Sequence, residues 1–218
     1  MAVTRRRNAV VREQQDPNST APPHLRRVDV ALGDGDAEAL RQALDNLLGS
    51  IDDPIENGDT ALHLACVYGH LTCVQVTFNS LPSFSSAILL LITGNFRLFV
   101  QILIERGASL EAKDEDGEIP LHGASAAGYA DIVQLLLNKG SEMNIVKRML
   151  DSVDEEGDTP LHHAAKAEHV NVILLLLANG ASPTTTNFHG QIPSELADPG
   201  THAKEILTNA VGTYVASR

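Results

Sequence analysis

Apolar residues along this chain recur at spacings of three and four inside short blocks, and polar, glycine-bearing turns separate the blocks. That rhythm predicts helices with one buried face each. In HLRRVDVALGDGDAEALRQALDNLL it predicts a helix through Leu32, a turn from Gly33 to Asp36 and a second helix from Ala37 to Leu48. Asp36 is placed to N-cap the second helix, whose buried stripe is Leu40, Ala43, Leu44, Leu47 and Leu48. The runs IVQLLL from Ile132 and VILLLL from Val172 predict further helices, with Gly107, Gly140 and Gly180 placed to end elements of this kind.

Four strings punctuate the blocks: GDTALHLA from Gly58, GEIPLHGA from Gly117, GDTPLHHA from Gly157 and the fainter GQIPSELA from Gly190. The last two begin 33 residues apart, while the earlier intervals of 59 and 40 equal that period plus insertions of 26 and 7 residues. On this period and the T-P-L-H-x-A pattern, the chain resembles short, stand-alone ankyrin arrays. The resemblance implies an all-α solenoid of helix-turn-helix units with projecting β-turn fingers, about five units with a degenerate cap at each end. The folded domain is expected over residues 25–212, between a disordered Arg-bearing tail at 1–24 and a short tail at 213–218.

The motif residues have physical reasons. Thr60 and Thr159 stand at N-cap-like positions, and Pro120 and Pro160 occupy the first helical turn, where a missing N–H costs nothing. Leu62, Leu121 and Leu161 point into the stack, and small residues after each motif histidine let neighbouring helices approach. His63, His122 and His162 recur at one motif position, where an imidazole can bond the turn backbone. Glu168 takes the place that Gly69 and Gly128 hold in their units, putting a side chain where a positive φ is wanted.

The 26-residue insertion, Val76 to Gln101, carries three open readings. Its removal restores an uninterrupted repeat, and its ends allow splice-site codons, so it fits a retained intron or gene-model error; its presence in the main spliced transcript would refute that. A membrane anchor over Phe84 to Ile104 is the second reading, but Asn95, Arg97 and Gln101 interrupt it. In the third it is a loop whose end, Phe96 to Ile104, supplies the second helix in place of Leu71 to Phe78; the register stays undecided. The 7 extra residues near MNIVKRMLDS are expected as an extended finger, about 145–152, lying outside the stack.

Composition narrows the function. The chain has 218 residues, 43% hydrophobic but 4% aromatic and without Trp, so its core is built from Leu, Ile, Val and Ala. Of a net charge of −12, residues 1–27 hold +4 and the rest −16, which disfavours nucleic acid as a partner of the folded part. Cys66 and Cys73 are expected as free thiols, and the polar N-terminus shows no secretory h-region; cytoplasm or nucleus is the expected location. Arg5, Arg6 and Arg7 read as a solvated tail, or as part of an import or transit signal.

Chemistry is sparse. His162, His163 and His169 form the densest histidine group, yet no Cys/His spacing of a zinc site appears, and no metal or cofactor is expected. There is no nucleophile elbow, phosphate-binding loop or catalytic Cys–His signature, so the expectation is a noncatalytic protein. The inter-repeat turns are acidic, and Asp53 and Glu56, then Asp114, Glu115 and Asp116, then Asp154, Glu155 and Glu156 are expected to align as a ridge. By resemblance, these fingertips and the concave face bind a partner protein, as adaptor, scaffold or assembly factor; an acidic ridge would favour a basic partner surface. The alternative is that these acids are solvated loop residues keeping a monomeric array soluble.

Overall fold

The computed structural model describes residues 21–55, 57–67 and 97–216, and these build an all-α solenoid. Helices α1 (Arg26–Asp34), α3 (Ala61–Val67), α5 (Pro120–Ala127), α8 (Pro160–Lys166) and α10 (Pro193–Leu196) stack in that order as the first helices of successive units. The second helices are α2 (Ala37–Asp45), α4 (residues 97–105), α6 (Ala130–Glu142), α9 (Val170–Ala178) and α11 (His202–Ala216). A short helix, α7 (Val146–Asp151), packs against α6. One core runs the length of the stack, with Leu62, Leu121 and Leu161 at most 1% exposed.

The N-terminal unit is shorter than its pattern predicts. Asp36 caps α2, its Oδ1 accepting from the N–H groups of Glu38 and Ala39 at 3.0 Å. The helix ends at Asp45, however, so Leu47 is only half-buried and Leu48 is 96% exposed. Without a following helical turn, Leu47 packs only partly against the core and Leu48 is not carried onto it. The described structure begins before the expected boundary, since Ala21 is buried, and α11 continues past residue 212 to Ala216.

Within the insertion, residues 97–101 belong to α4, which places Phe99, Val100, Ile102 and Leu103 in the core at 3% exposure or less. Arg106, just beyond α4, reaches α2 through an ion pair to Asp45 at 2.8 Å and a hydrogen bond to the Arg41 carbonyl. These residues therefore form a helix packed into the core, and their apolar side chains are used inside the protein; Leu71 to Phe78, the other candidate for the second helix, lie outside the described residues. Among the described residues, no helix is long and apolar enough to cross a membrane. Residues 76–96, and with them most of the insertion, lie outside the described residues, as does Cys73.

The second insertion corrects two expectations. Its residues are not an extended finger, because Ile145, Met149 and Leu150 form an apolar face that α7 buries. Lys147, Arg148 and Asp151 point outward, Lys147 pairing with Asp151 at 2.7 Å and Arg148 with Glu111 at 2.8 Å. Gly140 does not end α6, which continues to Glu142, and the left-handed reversal falls on Asn144 with φ 57°. A Cβ on Gly140 would lie 2.7 Å from Met149 Sδ, so the bare glycine is what lets α7 approach α6.

Gly128 and Glu168 take equivalent places at the ends of α5 and α8, with φ of 79° and 60°. The glutamate thus adopts the conformation that the repeat requires despite its Cβ. Its carboxylate contributes in return: Glu168 Oε1 accepts from the Asp198 N–H at 2.7 Å and so holds the chain beyond α10.

Candidate functional site

The fingers are built from one local device used three times. Asp114 Oδ1 accepts from the N–H groups of Asp116 and Glu118, Asp154 Oδ1 from those of Glu156 and Asp158, and Asn187 Oδ1 from those of His189 and Gln191. Each side chain thereby closes its own turn. Neighbouring fingers are joined through the main chain, the Glu155 N–H donating to the Asp116 carbonyl at 2.9 Å and the Phe188 N–H to that of Glu156 at 3.0 Å. A weaker contact of 3.4 Å links Glu115 N–H to the Asn57 carbonyl.

Motif histidines tie each finger to the helix behind it. The N–H groups of Thr60, Ile119 and Thr159 donate to Nδ1 of His63, His122 and His162 at 3.2, 3.1 and 3.0 Å. With Nδ1 accepting, the ring proton sits on Nε2, which donates to the carbonyls of Glu118, Asp158 and Gln191 in the next finger. The bond accepted at Nδ1 requires the neutral ring. Burial holds all three below the ordinary histidine value; His122, which is also opposed by the charge of His163, lies at about 4. Burial also pushes the Cys66 thiol upward, and Cys66 is a free, buried thiol.

The structure divides the expected acidic ridge. Glu115, Asp116, Glu155 and Glu156 are exposed and stand side by side on two adjoining fingers. Asp114 and Asp154 are turned inward to close their turns, and Asp53 pairs with His24 at 2.9 Å. Glu56 lies outside the described residues. Next in the row comes Phe188, 75% exposed, which sequence reasoning missed. Its signal was present, since Asn187 and Gly190 repeat the spacing of Asp154 and Gly157, which assigns Phe188 to a fingertip.

Beneath the fingers lies a second group that repeat periodicity did not predict. His163 Nε2 donates to Asp154 Oδ2 at 2.8 Å and stands 3.7 Å from Glu118 Oε1. The His163 ring meets that of His122 edge-on, with centroids 5.3 Å apart. Burial would raise Asp154, but hydrogen bonds from His163 and from the Asp158 and Glu156 N–H groups together hold its carboxyl below the usual range. Glu118 is shifted upward, by burial first and then by Asp114, Asp154 and Asp116, against the opposing effect of His163.

A model of ankyrin repeats in three copies matches residues 89–187, and a single-repeat ankyrin model matches residues 57–76, together more than half of the chain. Over 101 residues the chain is 34% identical to the Saccharomyces cerevisiae protein named "Probable 26S proteasome regulatory subunit p28", covering 42% of this chain and 44% of that one. Protein phosphatase 1 regulatory subunit 27 of Mus musculus is 28% identical over 108 residues, 50% of this chain and 53% of its own length. The NF-kappa-B inhibitor cactus of Drosophila yakuba is 29% identical over 102 residues, 45% of this chain and 21% of its own. The match thus spans from about a fifth to about half of these relatives' lengths.

Proposed function

The chain belongs to the ankyrin-repeat family, and from that premise we propose that it is a noncatalytic protein-binding module whose fingertip row contacts a partner bearing basic residues. The observation that carries this reading is the adjacency of four exposed carboxylates, Glu115, Asp116, Glu155 and Glu156, on fingers held in register by main-chain hydrogen bonds. A rigid row of like charge steers a complementary surface and lowers the ordering cost of binding. Phe188 beside it supplies an apolar anchor of the kind that interfaces concentrate at their centre. The printed names of the relatives, two regulatory subunits and an inhibitor, support action through contact with another protein. In this reading the module is monomeric, works in the cytoplasm or nucleus, and serves as an adaptor, scaffold or assembly factor.

The test is an affinity capture with the full chain and with a variant combining Glu115→Gln, Asp116→Asn, Glu155→Gln and Glu156→Gln. Discrete partners should be retained at low salt, released at moderate salt and lost with the variant. Capture that ignores both salt and the four substitutions would sink the reading.

A further inference from the structure

We propose that Glu118, Asp154 and His163 form a site for a divalent transition-metal ion, zinc foremost, that joins two neighbouring fingers to the first turn of α8. One ligand atom from each residue lies within 4.8 Å of the others, so the three can face a common point. Around tetrahedral zinc, with bonds near 2.0–2.1 Å, neighbouring ligand atoms sit about 3.3 Å apart. The two measured edges, 2.8 Å from His163 Nε2 to Asp154 Oδ2 and 3.7 Å from Nε2 to Glu118 Oε1, bracket that value. Those two edges thus lie within about 0.5 Å of coordination geometry, and the third, between the carboxylates of Asp154 and Glu118, lies within 4.8 Å.

The ligands are held as a metal site needs. Asp154 has one oxygen engaged by two main-chain N–H groups, which leaves Oδ2 directed at His163, and its side chain is 8% exposed. His163 is 16% exposed and braced by the edge-on His122 ring. Such outer contacts fix ligand orientation. Glu118 is more open, at 26%, and leaves the fourth position to water. An imidazole nitrogen with two carboxylates suits zinc better than magnesium or calcium, which take oxygen ligands. On binding, the Nε2–H···Oδ2 hydrogen bond is replaced by one bond from the ion to Nε2 and one to Oδ2: the Nε2 proton passes through water to Nδ1, leaving the neutral Nδ1–H tautomer, and a coordinated water leaves the ion for each protein ligand that enters. Because Glu118 and Asp154 belong to successive repeats, the ion would strengthen the interface between them.

The probe is zinc chloride alone, titrated calorimetrically into chelator-treated, dialysed full-length protein, with cobalt(II) absorption as a second readout. One equivalent should bind, raise the thermal midpoint and, as cobalt, give the visible bands of a four-coordinate site. Glu118→Gln and His163→Asn should each weaken binding about ten-fold or more and abolish the rise in midpoint. Glu118→Gln leaves the main-chain acceptor of His63 in place, so it carries the test if His163→Asn folds poorly. His202→Gln removes the exposed His202–Glu205 pair, 3.6 Å apart, and should change nothing. No binding to the native chain, or binding equal in the native and Glu118→Gln proteins, overturns the proposal; the latter identifies adventitious binding at surface histidines.

Discussion

His163 donates to one oxygen of Asp154 at 2.8 Å while the other oxygen of that carboxylate accepts two main-chain N–H groups, so a single side chain closes a finger and fastens it to α8. Asp154, expected among the partner-binding acids, is engaged internally by three hydrogen bonds.

Asp154→Ala should therefore destabilise the protein by about 2–3 kcal/mol, since it leaves two N–H groups of the turn and the His163 ring without their acceptor. Asp154→Asn, which can close the turn as Asn187 does, should cost about 1 kcal/mol. Urea unfolding in chelator-containing buffer measures both; equal losses for Ala and Asn would contradict the role assigned to Oδ1.

Stability should fall as pH drops from about 6.5 toward about 4, the interval between the unfolded and folded values of His122. There the unfolded chain takes up a proton that the folded ring refuses, so the stabilisation is complete above the interval and lost within it. The difference corresponds to roughly 3 kcal/mol for this residue, with His63 and His162 acting in the same direction. The raised Glu118 acts oppositely, contributing stability at low pH that is lost as pH rises through its folded value. Unfolding midpoints at stepped pH should show the decline, and His122→Gln should flatten it.

Glu168 separates strain from bonding. Glu168→Ala keeps the unfavourable φ and loses the bond to Asp198, so a loss of about 1 kcal/mol is expected. Glu168→Gly loses the same bond but relieves the strain, and should be about 1 kcal/mol more stable than the alanine variant. Identical stabilities for the two would show that no strain is stored there.

Phe99→Ala should cost about 3–5 kcal/mol, because its ring is completely buried. A chemical-denaturation loss below about 1 kcal/mol would contradict the placement of residues 97–105 as a core helix.

Much of the fold was legible because its devices recur. The motif leucines, the prolines opening α5 and α8, and the left-handed Glu168 each follow from a position shared between repeats. The insertions were less legible, since periodicity says only that residues are extra. Burial of α7 depended on Ile145, Met149 and Leu150 meeting the space at Gly140, a tertiary coincidence that no period encodes. For the ridge, the sequence located the acidic fingers but could not distinguish Asp114 and Asp154, whose carboxylates bond inward, from Glu115 and Glu155, which face water. Grouping Glu118 with Asp154 and His163 required the fingers' lateral pairing.

That pairing is made by amides and carbonyls common to nearly all residue types. The side chains of Glu115, Glu155 and Phe188 can consequently be exchanged without unfastening one finger from the next. A lineage carrying this architecture could rewrite its fingertips, turning an acidic row basic or moving an aromatic along it, while inheriting the supporting frame intact.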